Sequence, residues 1–98
     1  MAFTKSQKRK WAALIAKRNR EIVSKIKLER GCVDCGYKAH AAALQFDHVR
    51  GVKKYLVSRM HTHPVDMVLG EIAKCEVRCA NCHAIRHAQA YHPADPVL

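Results

Sequence analysis

The stretch CANCHAIRH, residues 79 to 87, places two cysteines and two histidines within nine positions. Thiolates and imidazoles at this density are metal-ligand chemistry, and the question is whether they serve one ion or two. Cys79-x-x-Cys82 has an upstream counterpart in Cys32-x-x-Cys35, with 43 residues between the two pairs. Together the pairs supply four thiolates, the donor set of a tetrahedral structural zinc. A single pair would fit redox chemistry or buried free thiols equally well; two pairs favour zinc. Cys75 reads as a buried small apolar side chain rather than a fifth ligand. With the thiolates used, His83 and His87 remain. Four residues apart on a helix, they share one face and can share a second ion.

Two histidines need a third ligand, and Asp47 in LQFDH is the candidate. Neighbouring side chains on a strand point to opposite sides, so Asp47 and His48 should not both chelate one ion. They can divide the labour. Asp47 joins His83 and His87 as an oxygen ligand, leaving positions open for water and a phosphate. His48 faces the water and takes its proton, a task that suits a group titrating near neutral pH. Alone, the Asp47-His48 pair would read as a turn-capping aspartate beside a satisfied histidine; its place between the cysteine pairs favours chemistry. His40, His61, His63 and His92 carry no assigned role, and His61 and His63 are the two that loop geometry would bring nearest the site.

These residues need elements to hold them. Residues 5 to 30 read as one long helix: Thr4 with Gln7 fits a capping box, and Gly31 fits the position that ends a helix. Trp11, Leu14, Ile15, Ile22, Val23 and Ile26 recur at helical spacing and are expected to pack against the rest of the domain, leaving Lys and Arg on the other face. CVDCG (32 to 36) is a tight knuckle. Residues 42 to 48 read as a strand and 49 to 60 as a basic loop. Pro64 suits the first position of a short helix running to about Ala73, with Thr62 or His63 before it. CEVRC (75 to 79) is β-like, residues 80 to 91 form the helix that carries the opening motif, and 92 to 98 form a loose tail. The reading is thus a basic N-terminal helix (1–30), one zinc-stapled domain (31–91) and a C-terminal tail (92–98).

Charge narrows the partner. The chain of 98 residues carries +10, and residues 1 to 30 hold ten Lys/Arg against only Glu21 and Glu29. Such an asymmetric basic segment points to a polyanion, most simply nucleic acid, over a helix face that merely aids solubility. Lys8, Arg9, Lys10, Lys17 and Arg18 are candidates for distant phosphates. Arg50, Lys53, Lys54 and Arg59 in the loop after His48, and above all Arg86 between the two histidines, are candidates near the reacting one. No apolar run approaches the ~20 residues of a membrane span, and no apolar segment follows the N-terminal charges. The expected setting is a reducing cytoplasm, of a bacterium or a phage-infected host cell, where thiols serve metals rather than disulfides.

LQFDH followed by CANCHAIRH, with CVDCG upstream, resembles the HNH endonucleases, and more narrowly the small zinc-stapled HNH proteins of bacteriophages and bacteria. The resemblance covers about residues 31 to 88. It implies a small α+β fold with a ββα-metal core (the HNH or His-Me finger), a separate four-cysteine zinc and, here, a long basic N-terminal helix. By position, Asp47 matches the first ligand of the catalytic ion, His48 the general base, and His83 and His87 the second and third ligands. The implied reaction is metal-dependent hydrolysis of DNA phosphodiester bonds, leaving 5′-phosphate and 3′-hydroxyl ends. Two histidines and one aspartate would suit Mg²⁺, Mn²⁺, Ni²⁺ or Zn²⁺. One position departs: Lys74 stands where the middle asparagine usually falls. Lysine only donates, so it cannot accept a hydrogen bond from His48, and the base must be oriented by a backbone carbonyl or another side chain. Asn81, inside the zinc knuckle, is not a substitute.

Two other readings compete. A non-catalytic zinc module could bind DNA or RNA through the basic helix, and an accessory protein could serve a phage packaging or repair complex. The zinc module explains the cysteines and the charge but leaves Asp47, His48, His83 and His87 as coincidences; the accessory protein would serve as a scaffold, with or without retained cleavage. Cutting both strands with one site per chain would favour a homodimer.

Overall fold

A computed structural model describes residues 2–91; the expected tail, with His92, lies outside the described residues. The order of elements is α1 (Lys5–Arg30), β1 (Leu44–His48), α2 (Val65–Ile72), β2 (Cys75–Cys79) and α3 (Ala80–Tyr91), with 3₁₀ turns at Ala41–Ala43 and Val57–Arg59. Among the described residues the chain is a small α+β fold of three helices and one two-stranded antiparallel sheet. No described helix is long and apolar enough to cross a membrane.

The capping residues set the bounds of α1. The Thr4 hydroxyl accepts from the Gln7 N–H at 3.1 Å, and the Gln7 side chain accepts from the Thr4 N–H at 2.8 Å. Two otherwise unpaired donors at the helix start are thereby satisfied. At the far end Gly31 takes φ 69°, a left-handed conformation that glycine adopts without a Cβ penalty, and its N–H donates to Lys27 O. A helix of 26 residues is about 39 Å long, against overall dimensions of 61 × 28 × 19 Å. The small domain cannot cover all of it, and the expected packing stripe is corrected accordingly. Val23 and Ile26 pack on the core, whereas Trp11 and Leu14 are 67% and 62% exposed.

What fastens α1 is polar. Asn19 is almost wholly buried, and its side-chain amide donates to His63 O at 2.8 Å and His61 O at 3.0 Å. His61 and His63 therefore sit against α1, where Tyr55 meets the His63 ring at 5.0 Å between centroids; neither joins the Asp47 group.

Residues 42 and 43, expected in the strand, instead belong to the 3₁₀ turn that leads into β1. Pro64 caps α2 from outside rather than opening it: its carbonyl accepts from Met67 N and Val68 N, and the helix begins at Val65. The loop after His48 is pinned where Val49 N and Arg50 N both donate to Lys74 O.

β1 pairs with β2 so that Leu44 faces Cys79, Phe46 faces Val77 and His48 faces Cys75. With period-two alternation these six share one side, and Gln45, Asp47, Glu76 and Arg78 share the other. The first side carries the apolar core. Leu44, Val77 and Cys32 form one cluster; Val57, Met60, Val68, Ile72 and Cys75 form another, and Phe46 touches both. Cys75 is buried as expected, its thiol donating to Glu71 O at 3.4 Å, and burial first, with Glu71 and Asp47 adding to it, pushes its pKa to about 11.

Candidate functional site

The long loop between the two cysteine pairs closes on itself. Cys32 and Cys35 come from the turn after α1, Cys79 from the end of β2 and Cys82 from the first turn of α3. Their four sulfurs lie within 4.8 Å of one another, so the cluster could hold a metal ion such as zinc. Cys35 Sγ and Cys79 Sγ are 3.7 Å apart, close to the ~3.8 Å edge of a tetrahedron with Zn–S bonds of about 2.3 Å. The thiols do not titrate alike. Burial raises the Cys32 pKa, but backbone N–H donors from Cys79, Cys35 and Asp34 outweigh it and bring it to about 6. The Cys79 side chain, then burial and the other thiols, push Cys82 to about 12. Four thiols this close cannot all ionise without a cation among them, and the donor set fits the soft, tetrahedral preference of zinc.

The second cluster forms on the polar side of the sheet. Asp47 on β1 and His83 and His87 on α3 each offer a ligand atom, all within 4.8 Å of one another. The rings of His83 and His87, one helical turn apart, meet edge to face with centroids 4.8 Å apart. His83 Nδ1 lies 2.6 Å from Gln45 Oε1. A carbonyl oxygen only accepts, so the proton sits on Nδ1 and Nε2 carries a lone pair. That lone pair is 3.5 Å from Asp47 Oδ1. Two acceptors facing each other repel unless a cation or a proton lies between them. Burial, the first of several causes, lowers the His83 pKa and disfavours the proton. Asp47, His83 and His87 could therefore hold a metal ion, and Gln45 is placed to fix the orientation of the His83 ring.

The other oxygen of Asp47 is already occupied. Arg78 Nη1 donates to Oδ2 at 2.9 Å, and Arg86 Nη1 donates to it at 2.6 Å. Asp47 is 4% exposed and Arg78 only 7%, so each charge needs the other to be tolerable inside the domain. Arg78 also reaches Asp34 Oδ2 at 2.8 Å, tying the first cysteine turn to the sheet. Arg86, placed by the sequence at the reacting phosphate, instead serves Asp47 first, with part of its side chain still open to solvent. Sequence reasoning missed Arg78. Its signal was available: CEVRC alternates, and the only basic residue in it falls on the side of Asp47.

His48, on the opposite side of β1, meets Glu71 of α2. His48 Nε2 is 2.8 Å from Glu71 Oε2, which also accepts from Lys54 N at 3.2 Å. Lys74 Nζ donates to Glu71 Oε1 and to Val52 O, both at 2.8 Å. Glu71 is 4% exposed, and the Lys74 ammonium first, against burial and helped by His48, holds its pKa down to about 2. The carboxylate thus fixes the protonated nitrogen of His48 as Nε2 and leaves Nδ1 as the basic atom. Lys74 acts one step removed, by clamping Glu71.

Among the described residues β1 pairs with β2 alone, and residues from both of its sides line one groove. That groove is about 270 Å³ and is lined by His48, Phe46, Gln45 and His83 together with Val23 and Lys27 of α1. Of the basic candidates, Lys53, Lys54 and Arg59 are exposed around the loop, and Lys8, Arg9, Lys10 and Lys17 are exposed along α1. Arg18 holds Asn19 Oδ1, and Arg50 is committed to the carbonyl of Ala73 at 2.7 Å.

No protein-family model, curated protein or solved structure matches the chain.

Proposed function

We propose that the protein is a metal-dependent endonuclease of the HNH kind, hydrolysing DNA phosphodiester bonds. The reading is carried by one observation: Asp47 Oδ1, His83 Nε2 and His87 converge on one side of β1, while His48, fixed from behind by Glu71, lines the same groove as His83 from the other. A ligand set and a separately oriented base beside one cleft are what metal-assisted hydrolysis needs; a purely structural histidine cluster needs no such base.

The roles follow from the bonds already made. Nδ1 of His48 takes a proton from the attacking water, and Glu71 stabilises the imidazolium through its Nε2–H. Gln45 keeps the His83 lone pair turned towards Asp47. Arg78 holds Asp47 in place and compensates its buried charge, and Arg86, its Nη1 on Asp47 and its side chain partly in solvent, would turn its remaining guanidinium N–H groups to a phosphate oxygen. A bound Mg²⁺, Mn²⁺, Ni²⁺ or Zn²⁺ would supply charge stabilisation for the phosphate and the leaving 3′ oxygen. The basic N-terminal helix supports DNA as the substrate through sequence-independent phosphate contacts, and the cysteine cluster serves as the structural zinc that carries α3.

Plasmid nicking by the purified chain in each of these metals, with His48→Ala alongside, tests the proposal. Cleavage that needs the added metal, and falls by about 10²–10⁴-fold in the variant with DNA affinity unchanged, is the expected result. DNA binding without cleavage in any metal would overturn it in favour of a zinc-stabilised binding module or accessory protein.

A further inference from the structure

A second cavity, of about 220 Å³, adjoins the His48 groove and shares Lys27, Val23, Val57 and Ser58 with it. Together they form one channel between α1 and the segment from Leu56 to His61, leading from the histidines to Arg20. Every titratable side chain that lines it is a base: Arg20 and His61 at one end, Lys27 where the two cavities meet, and His48 and His83 at the other. Buried Leu44, Val57, Met60 and Val68 make most of its floor, with buried Asn19 among them.

Lys27 sits at the junction. It is only partly exposed, and its ammonium lies 5.6 Å from the centre of the Phe46 ring rather than against a carboxylate. Burial alone lowers its pKa. A desolvated cation with no acid against it among the described residues has the chemistry of a site for an incoming anion. Arg20, Ser24 and Lys27 recur at four and three residues, so they stand on one face of α1. From Arg20 to Lys27 the helix rises about 10 Å, so the two side chains reach different phosphates of one strand.

We propose that this channel carries the stretch of DNA strand next to the scissile phosphate, with Lys27 and Arg20 each taking a backbone phosphate and the apolar part of the floor meeting sugar carbons. The inference rests on reading the neighbouring cleft as a DNA site, and it makes one face of α1, rather than its whole basic surface, the binding element. Lys25 lies on another face of the same helix, more than a third of a turn away, and Lys38 is exposed in the loop before β1; neither takes part.

The test measures binding of a labelled DNA duplex across a salt series, using full-length zinc-loaded protein with no second metal added, so that nothing depends on cleavage. Arg20→Gln/Lys27→Gln is compared with Lys25→Gln/Lys38→Gln, which removes the same charge, and with Ser58→Trp, which fills the channel and leaves every charge in place. The channel pair is expected to weaken binding at least ~10-fold and to flatten the log-affinity against log-salt slope by roughly 2, about 0.9 per lost phosphate contact. Ser58→Trp should weaken binding comparably, and the control pair by less than about 3-fold. Equal losses in the two charge pairs, or wild-type binding by Ser58→Trp, would overturn the channel while leaving the nuclease reading to its own cleavage test. Channel-dependent binding by a chain that cleaves nothing would keep the channel and sink the nuclease.

Discussion

His48 Nε2 and Glu71 Oε2 face each other at 2.8 Å across the gap between β1 and α2, with the carboxylate almost fully buried. The contact does what Lys74, at its position in the chain, cannot do directly. Lysine has no acceptor, but its ammonium anchors Glu71, and Glu71 accepts from the histidine. The loop between them is bound into the same network through Lys54 N and Val52 O. The carboxylate that links the two stands three residues before Lys74, on the last turn of α2.

That network gives the protein an acid-sensitive limb. The folded pKa of Glu71, about 2, is depressed from an ordinary 4.5. Its contribution is therefore complete above the ordinary value and fades as pH falls from about 4.5 towards 2. Glu71→Gln should cost roughly 1–3 kcal/mol at neutral pH. Denaturant unfolding of variant and wild type at pH 7 and pH 3 should show the gap narrowing at the lower pH; a constant gap would contradict the assignment.

Gln45→Leu removes the acceptor on His83 Nδ1 and releases the ring to either tautomer. Affinity for a second divalent ion should drop by about 10–100-fold, read by titrating Mn²⁺ or Ni²⁺ calorimetrically into the zinc-loaded chain. Zinc content should not change, because the cysteines are untouched. An unaltered second-ion affinity would mean that Gln45 plays no part in ligand orientation.

Cys79→Ser is expected to abolish both stoichiometric zinc and cooperative unfolding. Structural zinc is worth about 10–16 kcal/mol in small domains, at least as much as the ~5–15 kcal/mol by which a domain is stable. Metal analysis of the wild type should give about one zinc per chain after dialysis; a cooperative melt of the zinc-free variant would show that the cluster does not hold the fold.

Asn19→Ala should loosen α1 rather than the sheet. It strands the carbonyls of His61 and His63, whose amide partner is lost, at a cost of about 2 kcal/mol. Hydrogen exchange would detect it as faster opening confined to α1 and residues 60–64. Uniform loss of protection across β1 and β2 would place the fastening elsewhere.

Much was legible in the chain because it is local. The bounds of α1 follow from Thr4, Gln7 and Gly31, whose hydrogen bonds and backbone angles involve only near neighbours. The two cysteine pairs and the histidines one turn apart announce their groupings through spacing on rigid elements. Alternation on β1 correctly separates Asp47 from His48, since a strand offers only two sides.

The rest depends on contacts between residues far apart in sequence. That Trp11 and Leu14 stay exposed follows from the length of α1 against a domain too small to cover it, not from their own hydrophobicity. Arg78 with Asp47, Glu71 with His48 and Gln45 with His83 are 31, 23 and 38 residues apart. Each pairing exists because a buried charge or imidazole must find a partner once water is excluded, and only the packed fold decides which partner stands within reach. Sequence by itself determined the residue types that could bind metal and the elements that carry them; tertiary structure alone decided their orientation, because a hydrogen bond at 2.6–2.9 Å is a property of packed surfaces and not of spacing.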